Sequence, residues 1–159
     1  MREEKESLFA AIRTGNIAEV KKLLKETPMR VNMPNDRGFT PIIMAAYFDQ
    51  LEIVSFLLEN NADIDSKDTS GNTAIMGSSF KGYEAIVRKL IEKGAELNCR
   101  NNMGATALIY AASFGHLEIA KLLLAAGADT SIRDQKGYTA YENAKLKGAP
   151  ALINILKEA

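Results

Sequence analysis

The sequence reads as an all-α repeat solenoid of about five stacked helix pairs. Three observations lead there. Gly38, Gly71, Gly104 and Gly137 stand 33 residues apart, and each is followed two places on by a threonine: Thr40, Thr73, Thr106 and Thr139. A much longer stretch recurs in register, from Gly38 to Asp65, Gly71 to Asn98 and Gly104 to Ser131. Within the copies, apolar residues fall at helical spacing in two separate runs. A fixed period of this length marks an array in which each unit buries its faces only against its neighbours, and such arrays serve recognition more readily than catalysis.

Each copy opens on a turn. Asn35, Asp68, Asn101 and Asp134 sit three residues before the repeat glycine. Their side chains can bond backbone amides of a tight turn, and the glycine supplies the positive φ. The threonine follows as the expected helix N-cap, and Pro41 suits the first helical position. Thr139 and Glu142 have the spacing of a capping box.

The first helix of a unit carries a narrow apolar stripe, Ile42, Ala45 and Ala46, then Leu108, Ala111 and Ala112. Alanines there let neighbouring helices approach closely. The second helix carries Ile53, Val54, Leu57 and Leu58, matched by Ile86, Val87, Leu90 and Ile91, and by Ile119, Ala120, Leu123 and Leu124. Glu52, Ser55 and Glu59 mark its wet side. Gly94 and Gly127 read as left-handed ends of second helices, with Asn61 as substitute. Gly82, Gly115 and Gly148, with Asp49 in the second unit, break the chain between helices.

The ends differ from the middle. Residues 4 to 25 read as a first helix pair, with Leu8, Ala11 and Ile12, then Val20, Leu23 and Leu24, facing inward. The last unit has Glu142, Asn143 and Lys145 where the most regular copy has Ile109, Tyr110 and Ala112. The expected organisation is therefore one domain over 1–159, in approximate units 4–34, 35–67, 68–100, 101–133 and 134–159, the outer two acting as caps.

The most regular copy, Gly104-Ala-Thr-Ala-Leu-Ile-Tyr-Ala-Ala-Ser-Phe-Gly-His-Leu-Glu-Ile-Ala-Lys-Leu-Leu-Leu-Ala-Ala-Gly-Ala-Asp129, resembles the ankyrin repeat. The resemblance covers nearly the whole chain. It implies that each unit is a short β-hairpin tip followed by two antiparallel helices, and that the stack presents a concave recognition face built from tips and first helices. Carried onto this chain, that face includes Arg37, Phe39, Tyr47 and Phe48, then Asn72, Phe80 and Lys81, then Met103 and Phe114, then Tyr138. Arg13 and Thr14 extend it at the N-terminal end. Six of the eleven aromatic residues fall on it: Phe39, Tyr47, Phe48, Phe80, Phe114 and Tyr138. Aromatic rings are over-used as interface anchors.

An independent sign comes from Pro41-Ile-Ile-Met-Ala-Ala-Tyr-Phe48, a helix apolar on every side, which must be buried, covered by a neighbour or awaiting a partner. Two readings stand for these positions. Ile43, Met76, Ile109 and Tyr110 either pack on adjacent first helices or face a partner, and Phe48, Phe80 and Phe114 either cover those flanks or contact the partner directly.

The chain departs from the family pattern in instructive places. The histidine that often ties adjacent tips is replaced by Ile43, Met76, Ile109 and Glu142, removing that tie. Unit three has Gly77-Ser78-Ser79 where unit two has Met44-Ala45-Ala46. Gly77 either makes room for Tyr110 or Met44, or leaves a notch between Phe48 and Phe114, lined by Gly77 and Lys81, that could receive a partner side chain.

Composition narrows the function. Twenty basic residues balance twenty acidic ones, which argues against a nucleic-acid partner. No run approaches the ~18 apolar residues of a membrane span. The charged start, Met1-Arg-Glu-Glu-Lys-Glu6, lacks an apolar signal core, so the expected compartment is the cytoplasm, with periplasm or secretion only where a signal peptide has been removed. His116 is the sole histidine and occupies an inter-helix place where the family commonly has a structural one. Ser78 and Ser79 lack a nucleophile frame. Cys99, also alone, precedes Arg100, which could lower its pKa; the alternative is an ordinary small residue.

No catalytic residue, metal site or cofactor is expected. The leading expectation is a monomeric, non-enzymatic module that binds a protein partner through the concave face. The Thr106-Ala-Leu-Ile-Tyr-Ala-Ala112 helix also resembles short bacterial ankyrin proteins, which adds a narrower version: an inhibitor or immunity partner plugging another protein's active site. The alternatives are small-ligand binding or enzyme activity at the Gly77 notch, and a structural spacer whose aromatics are interior.

Overall fold

A computed structural model describes the backbone of residues 2–159 and the side chains from Glu6 onward; Met1, part of the charged start, lies outside the described residues. The helices run in five consecutive pairs: α1 (Arg2–Thr14) and α2 (Ile17–Glu26), α3 (Pro41–Tyr47) and α4 (Leu51–Glu59), α5 (Ala74–Lys81) and α6 (Glu84–Glu92), α7 (Ala107–Phe114) and α8 (Leu117–Ala125), α9 (Ala140–Lys147) and α10 (Pro150–Glu158). A short 3-10 turn, Pro28–Asn32, occupies the return loop after α2.

Helices pack in two layers. Each first helix touches the first helix of the next pair, from α1 through α3, α5 and α7 to α9. The second helices form a parallel row, α2, α4, α6, α8 and α10, and each pair also packs internally. The stripes explain this. Ile42, Ala45, Ala46, Ala111 and Ala112 are completely buried, as are Val54, Leu57, Val87, Leu90 and Leu123. Alanine in the first-helix row keeps those axes close, whereas leucine and isoleucine fill the wider gap beneath. Leu58, Ile91 and Leu124, on the stripe's edge, are only half-buried.

Corners between paired helices use left-handed backbone. Asp49 takes φ 58° where later units place glycine. At Gly82 the open backbone is also required sterically, since a Cβ there would stand 2.7 Å from the His116 ring. Second helices end as expected at Asn61, Gly94 and Gly127, all with positive φ.

The threonine caps are only half realised. The Thr106 hydroxyl accepts from the Ile109 amide at 3.3 Å, and Thr139 forms the full capping box with Glu142. Thr40 and Thr73 make no such bond. The Thr40 hydroxyl is instead 2.8 Å from the Ser66 hydroxyl, while Pro41, at the first helical position, leaves the helix one fewer unpaired amide. The Thr73 hydroxyl is buried without a partner.

The tips expected as short β-hairpins are tight turns, and no strand forms among the described residues. Each is closed by two backbone bonds, for example Asp68 N–H to Asn72 C=O at 3.0 Å and Gly71 N–H to Asp68 C=O at 2.9 Å. The opening Asn or Asp does the rest. Asp68 Oδ1 accepts from the amides of Ser70 and Asn72 at 2.8 and 2.9 Å, and Asn101 Oδ1 does the same for Met103 and Ala105.

The missing histidine tie is made good by other groups. The Asn102 amide donates to Ser70 C=O at 3.0 Å and the Gln135 amide to Met103 C=O at 2.9 Å, joining successive tips. On the opposite side, Asn32 Oδ1 accepts from Asp63 N–H, Asp65 Oδ1 from Glu96 N–H and Asn98 Oδ1 from Asp129 N–H, at 2.7, 2.9 and 2.8 Å. One polar side chain per unit thus holds the next return loop in register.

Candidate binding face

The first-helix face carries the exposed rings. Tyr47 and Phe48 stand at the end of α3, Phe80 at the end of α5 and Phe114 at the end of α7, with Tyr138 on the fourth tip. All five are between 37% and 45% exposed. Tyr47 and Phe80 hold the same place in successive units, and Phe48 and Phe114 the same place two units apart; exposed apolar rings gathered on one face are uncommon for packing alone. The spacer reading required Phe48, Phe80 and Phe114 to be interior, and they are not.

Other expected residues divide cleanly. Arg37, Lys81 and Met103 are exposed on the same face. Ile43, Met76 and Ile109 are buried, so for them packing on adjacent first helices is the observed arrangement. Phe39, Asn72 and Tyr110 are half-buried. Asn72 and Tyr110 are tied into the tips: Asn101 Nδ2 donates to Asn72 Oδ1 at 2.9 Å and to the Tyr110 hydroxyl at 2.8 Å, and that hydroxyl donates to Asn72 Oδ1 at 3.4 Å. Burial pushes the Tyr110 pKa above its ordinary value, although the Asn101 bond works against it.

The rings touch one another. Phe80 meets Phe114 edge to face with centroids 4.5 Å apart, and Phe80 meets Tyr110 at 5.7 Å. Tyr47 and Phe48 form a second edge-to-face pair at 5.5 Å. The Lys81 ammonium lies 4.9 Å from the Tyr47 ring centre.

Two hollows interrupt this face. The larger, about 620 Å³, lies at the N-terminal end between α1, the first tip and α3, with Phe9, Arg13, Arg37, Phe39, Tyr47 and Phe48 among its walls. The smaller, about 300 Å³, lies over Gly77. Its walls are Tyr47, Phe80 and Tyr110 with the second tip, so the notch expected between Phe48 and Phe114 is displaced toward the tips, and Lys81 does not line it. A Cβ at Gly77 would find no neighbouring heavy atom within 4 Å, so Gly77 does not make room for Tyr110 or Met44. Asp68, Ser70 and Thr73 line the same hollow. As sequence, Asp68 and Thr73 signalled only a turn and a cap, and nothing in the repeat pattern marked those two as walls.

The isolated reactive residues have structural surroundings. His116 Nε2 is 3.0 Å from the Phe80 carbonyl oxygen, which can only accept, so the ring proton sits on Nε2. The Ser78 hydroxyl donates back to Ala74 and Ile75 C=O, and the Ser79 hydroxyl is fully buried. The expectation that Arg100 lowers the Cys99 pKa is overturned. Burial raises it, Asp65 and Glu96 raise it further, and only Lys67 opposes. Arg100 turns away, donating to Gly104 and Arg133 carbonyls at 3.3 and 2.8 Å. No group of three His, Cys, Asp or Glu placed to hold a metal occurs among the described residues, and none of their helices is long and apolar enough to cross a membrane.

Comparison with known proteins matches the repeats directly. A family model described as ankyrin repeats (3 copies) matches residues 60–134, and a second, ankyrin repeats (many copies), matches residues 23–75. Ankyrin repeat and SAM domain-containing protein 6 of Mus musculus is 39% identical over 62 residues, 39% of this chain and 7% of that protein. The DNA-binding protein RFXANK of Homo sapiens is 45% identical over 49 residues, 31% of this chain and 19% of that protein. The similarity therefore spans less than a fifth of either relative.

Proposed function

Because this chain belongs to the ankyrin-repeat family, whose repeats are protein–protein interaction modules, we propose that it is a non-enzymatic binding protein that holds a partner protein against its first-helix face. The observation that carries this reading is the row of Tyr47, Phe48, Phe80, Phe114 and Tyr138, all exposed on successive units of a rigid scaffold. Rigid rings on a preformed surface lose little conformational freedom on binding, which suits them to anchor a partner. Met103 and Arg37 extend the contact between and beyond them. The narrower role, an inhibitor that plugs another protein's active site, would use the same face. The chain acts as a monomer in this reading.

The words "DNA-binding" in the name of the human relative describe that protein. In this chain the equal numbers of basic and acidic residues favour a protein partner over a phosphate backbone.

Affinity capture from the source organism, run beside a Phe48→Ala, Phe80→Ala, Phe114→Ala triple variant, tests the proposal. The expected result is a partner recovered with the parent protein and lost with the variant, at nearly equal melting temperatures. Equal recovery by both proteins would count against the face.

A further inference from the structure

Gly77 poses a packing problem that the fold itself does not answer. Glycine is among the least favourable residues inside a helix and is normally kept there for a left-handed φ or a close neighbour. Gly77 lies inside α5 and has neither: its φ is not in the left-handed region, and no neighbouring heavy atom would meet its Cβ within 4 Å. The equivalent places in the other repeats hold Met44, Tyr110 and Asn143. Thr73 and Phe80, four residues before and three after, share its side of the helix and line the same hollow. The missing side chain therefore opens space toward the binding face.

We infer that this hollow is a subsite for one cationic side chain, an arginine or lysine of the protein partner. The inference rests on the first-helix face being the binding face, and adds the chemistry of what enters it. Four rings, Phe39, Tyr47, Phe80 and Tyr110, line the space, and aromatic rings attract cations through their quadrupole. Asp68 is the one charged residue among the walls. Its Oδ1 is occupied by the two turn amides, whereas Oδ2 receives only a long 3.5 Å contact from Asn72 Nδ2, which leaves acceptor capacity for a guanidinium or ammonium. One of these rings, Tyr47, already takes a cation outside the hollow, where the Lys81 ammonium lies against it. At about 300 Å³ the hollow is at the small end of ligand sites, the scale of a single inserted side chain.

The test uses the full chain and short capped peptides, acetyl-Gly-Gly-X-Gly-Gly-amide, with X as arginine, lysine, citrulline or norleucine, followed by the amide NMR shifts of Gly77 and Ser70. Arginine and lysine peptides are expected to move both signals saturably, about ten-fold more tightly than citrulline and norleucine respectively. Asp68→Asn keeps the turn, because asparagine stands at the same place in Asn35 and Asn101. It should lower arginine affinity about ten-fold and leave citrulline binding unchanged. Gly77→Leu should melt no lower than the parent and abolish the shifts. Lys81→Met, which removes a nearby like charge, should tighten the arginine peptide. Equal binding of charged and neutral peptides, indifference to Asp68→Asn, or no shift with any peptide up to about 10 mM would overturn the inference. If Gly77→Leu and Asp68→Asn still recover the captured partner while the triple alanine variant loses it, the subsite fails and the binding face stands.

Discussion

His116 Nε2 and the Phe80 carbonyl oxygen, 3.0 Å apart, join the start of α8 to the end of α5 across one repeat. One repeat-pair earlier, at the equivalent corner, Gln50 Nε2 reaches the Arg13 carbonyl at 3.5 Å. The equivalent corners at Tyr83 and Ala149 show no such bond, so the donor is an addition made at two of the four corners. His116→Ala is expected to lose about 1 kcal/mol, a typical net hydrogen bond, in a urea melt. His116→Gln should recover part of that loss, and equal stability of both variants and the parent would dismiss the bond as a contributor.

Leu123 is completely buried in the second-helix row. Removing its side chain leaves a cavity between α8 and its neighbours that helices held on both sides cannot close. Leu123→Ala should cost about 2–5 kcal/mol. Thermal or chemical melting indistinguishable from the parent would contradict the stacking described for this row.

Ser79 stands where neighbouring repeats have Ala46 and Ala112, and its hydroxyl is buried without a hydrogen-bond partner. A polar group stripped of water and left unpaired destabilises the fold, and alanine is also the better helix former. Ser79→Ala is expected to raise stability by about 1 kcal/mol. Ser78→Ala should gain less, because the Ser78 hydroxyl is bonded to Ala74 and Ile75 carbonyls. A Ser79→Ala variant less stable than the parent would show that the hydroxyl is satisfied.

Glu142 caps α9 and has its pKa held below the ordinary 4.5, first by the Thr139 amide, then by the Thr139 hydroxyl and by Arg133. A carboxyl with a lowered folded-state pKa takes up its proton more readily in the unfolded chain, so acid favours unfolding. The contribution is present above the ordinary value and disappears as pH falls through the lowered one. Glu142→Gln should therefore be less stable than the parent at pH 7 and converge on it toward pH 3. Parallel stability curves across that interval would refute the linkage.

Much of the scaffold was legible because it is local and repeated. The left-handed corners at Gly82 and Gly115, the ends at Gly94 and Gly127, and the buried stripes through Ala45 and Leu57 each depend on a few neighbouring residues and recur with the period. The exposed rings were readable at Phe48, Phe80 and Phe114, whose exposure follows from lying off the stripes. What stayed hidden depends on pairs of units. Whether Thr40 caps its helix is decided by Ser66, 26 residues on. Whether Gly77 is filled depends on where the Tyr47, Phe80 and Tyr110 rings settle. Of the two readings of Cys99, the one in which Arg100 lowers its pKa fails because Arg100 reaches along the array to Arg133 rather than back to the thiol.

The bonds between tips have a kinetic consequence. Lys67 to Arg100, Thr69 to Asn102, Arg100 to Arg133 and Asn102 to Gln135 all couple residues 33 apart. The loop that must close to form such a contact is the same size wherever along the chain it is made, and its entropic cost does not grow with the length of the array. Contacts of this bounded reach keep relative contact order from rising as an array lengthens, so folding begins with the docking of one helix pair on the next. Any adjoining pair can begin it, and growth then proceeds outward in both directions.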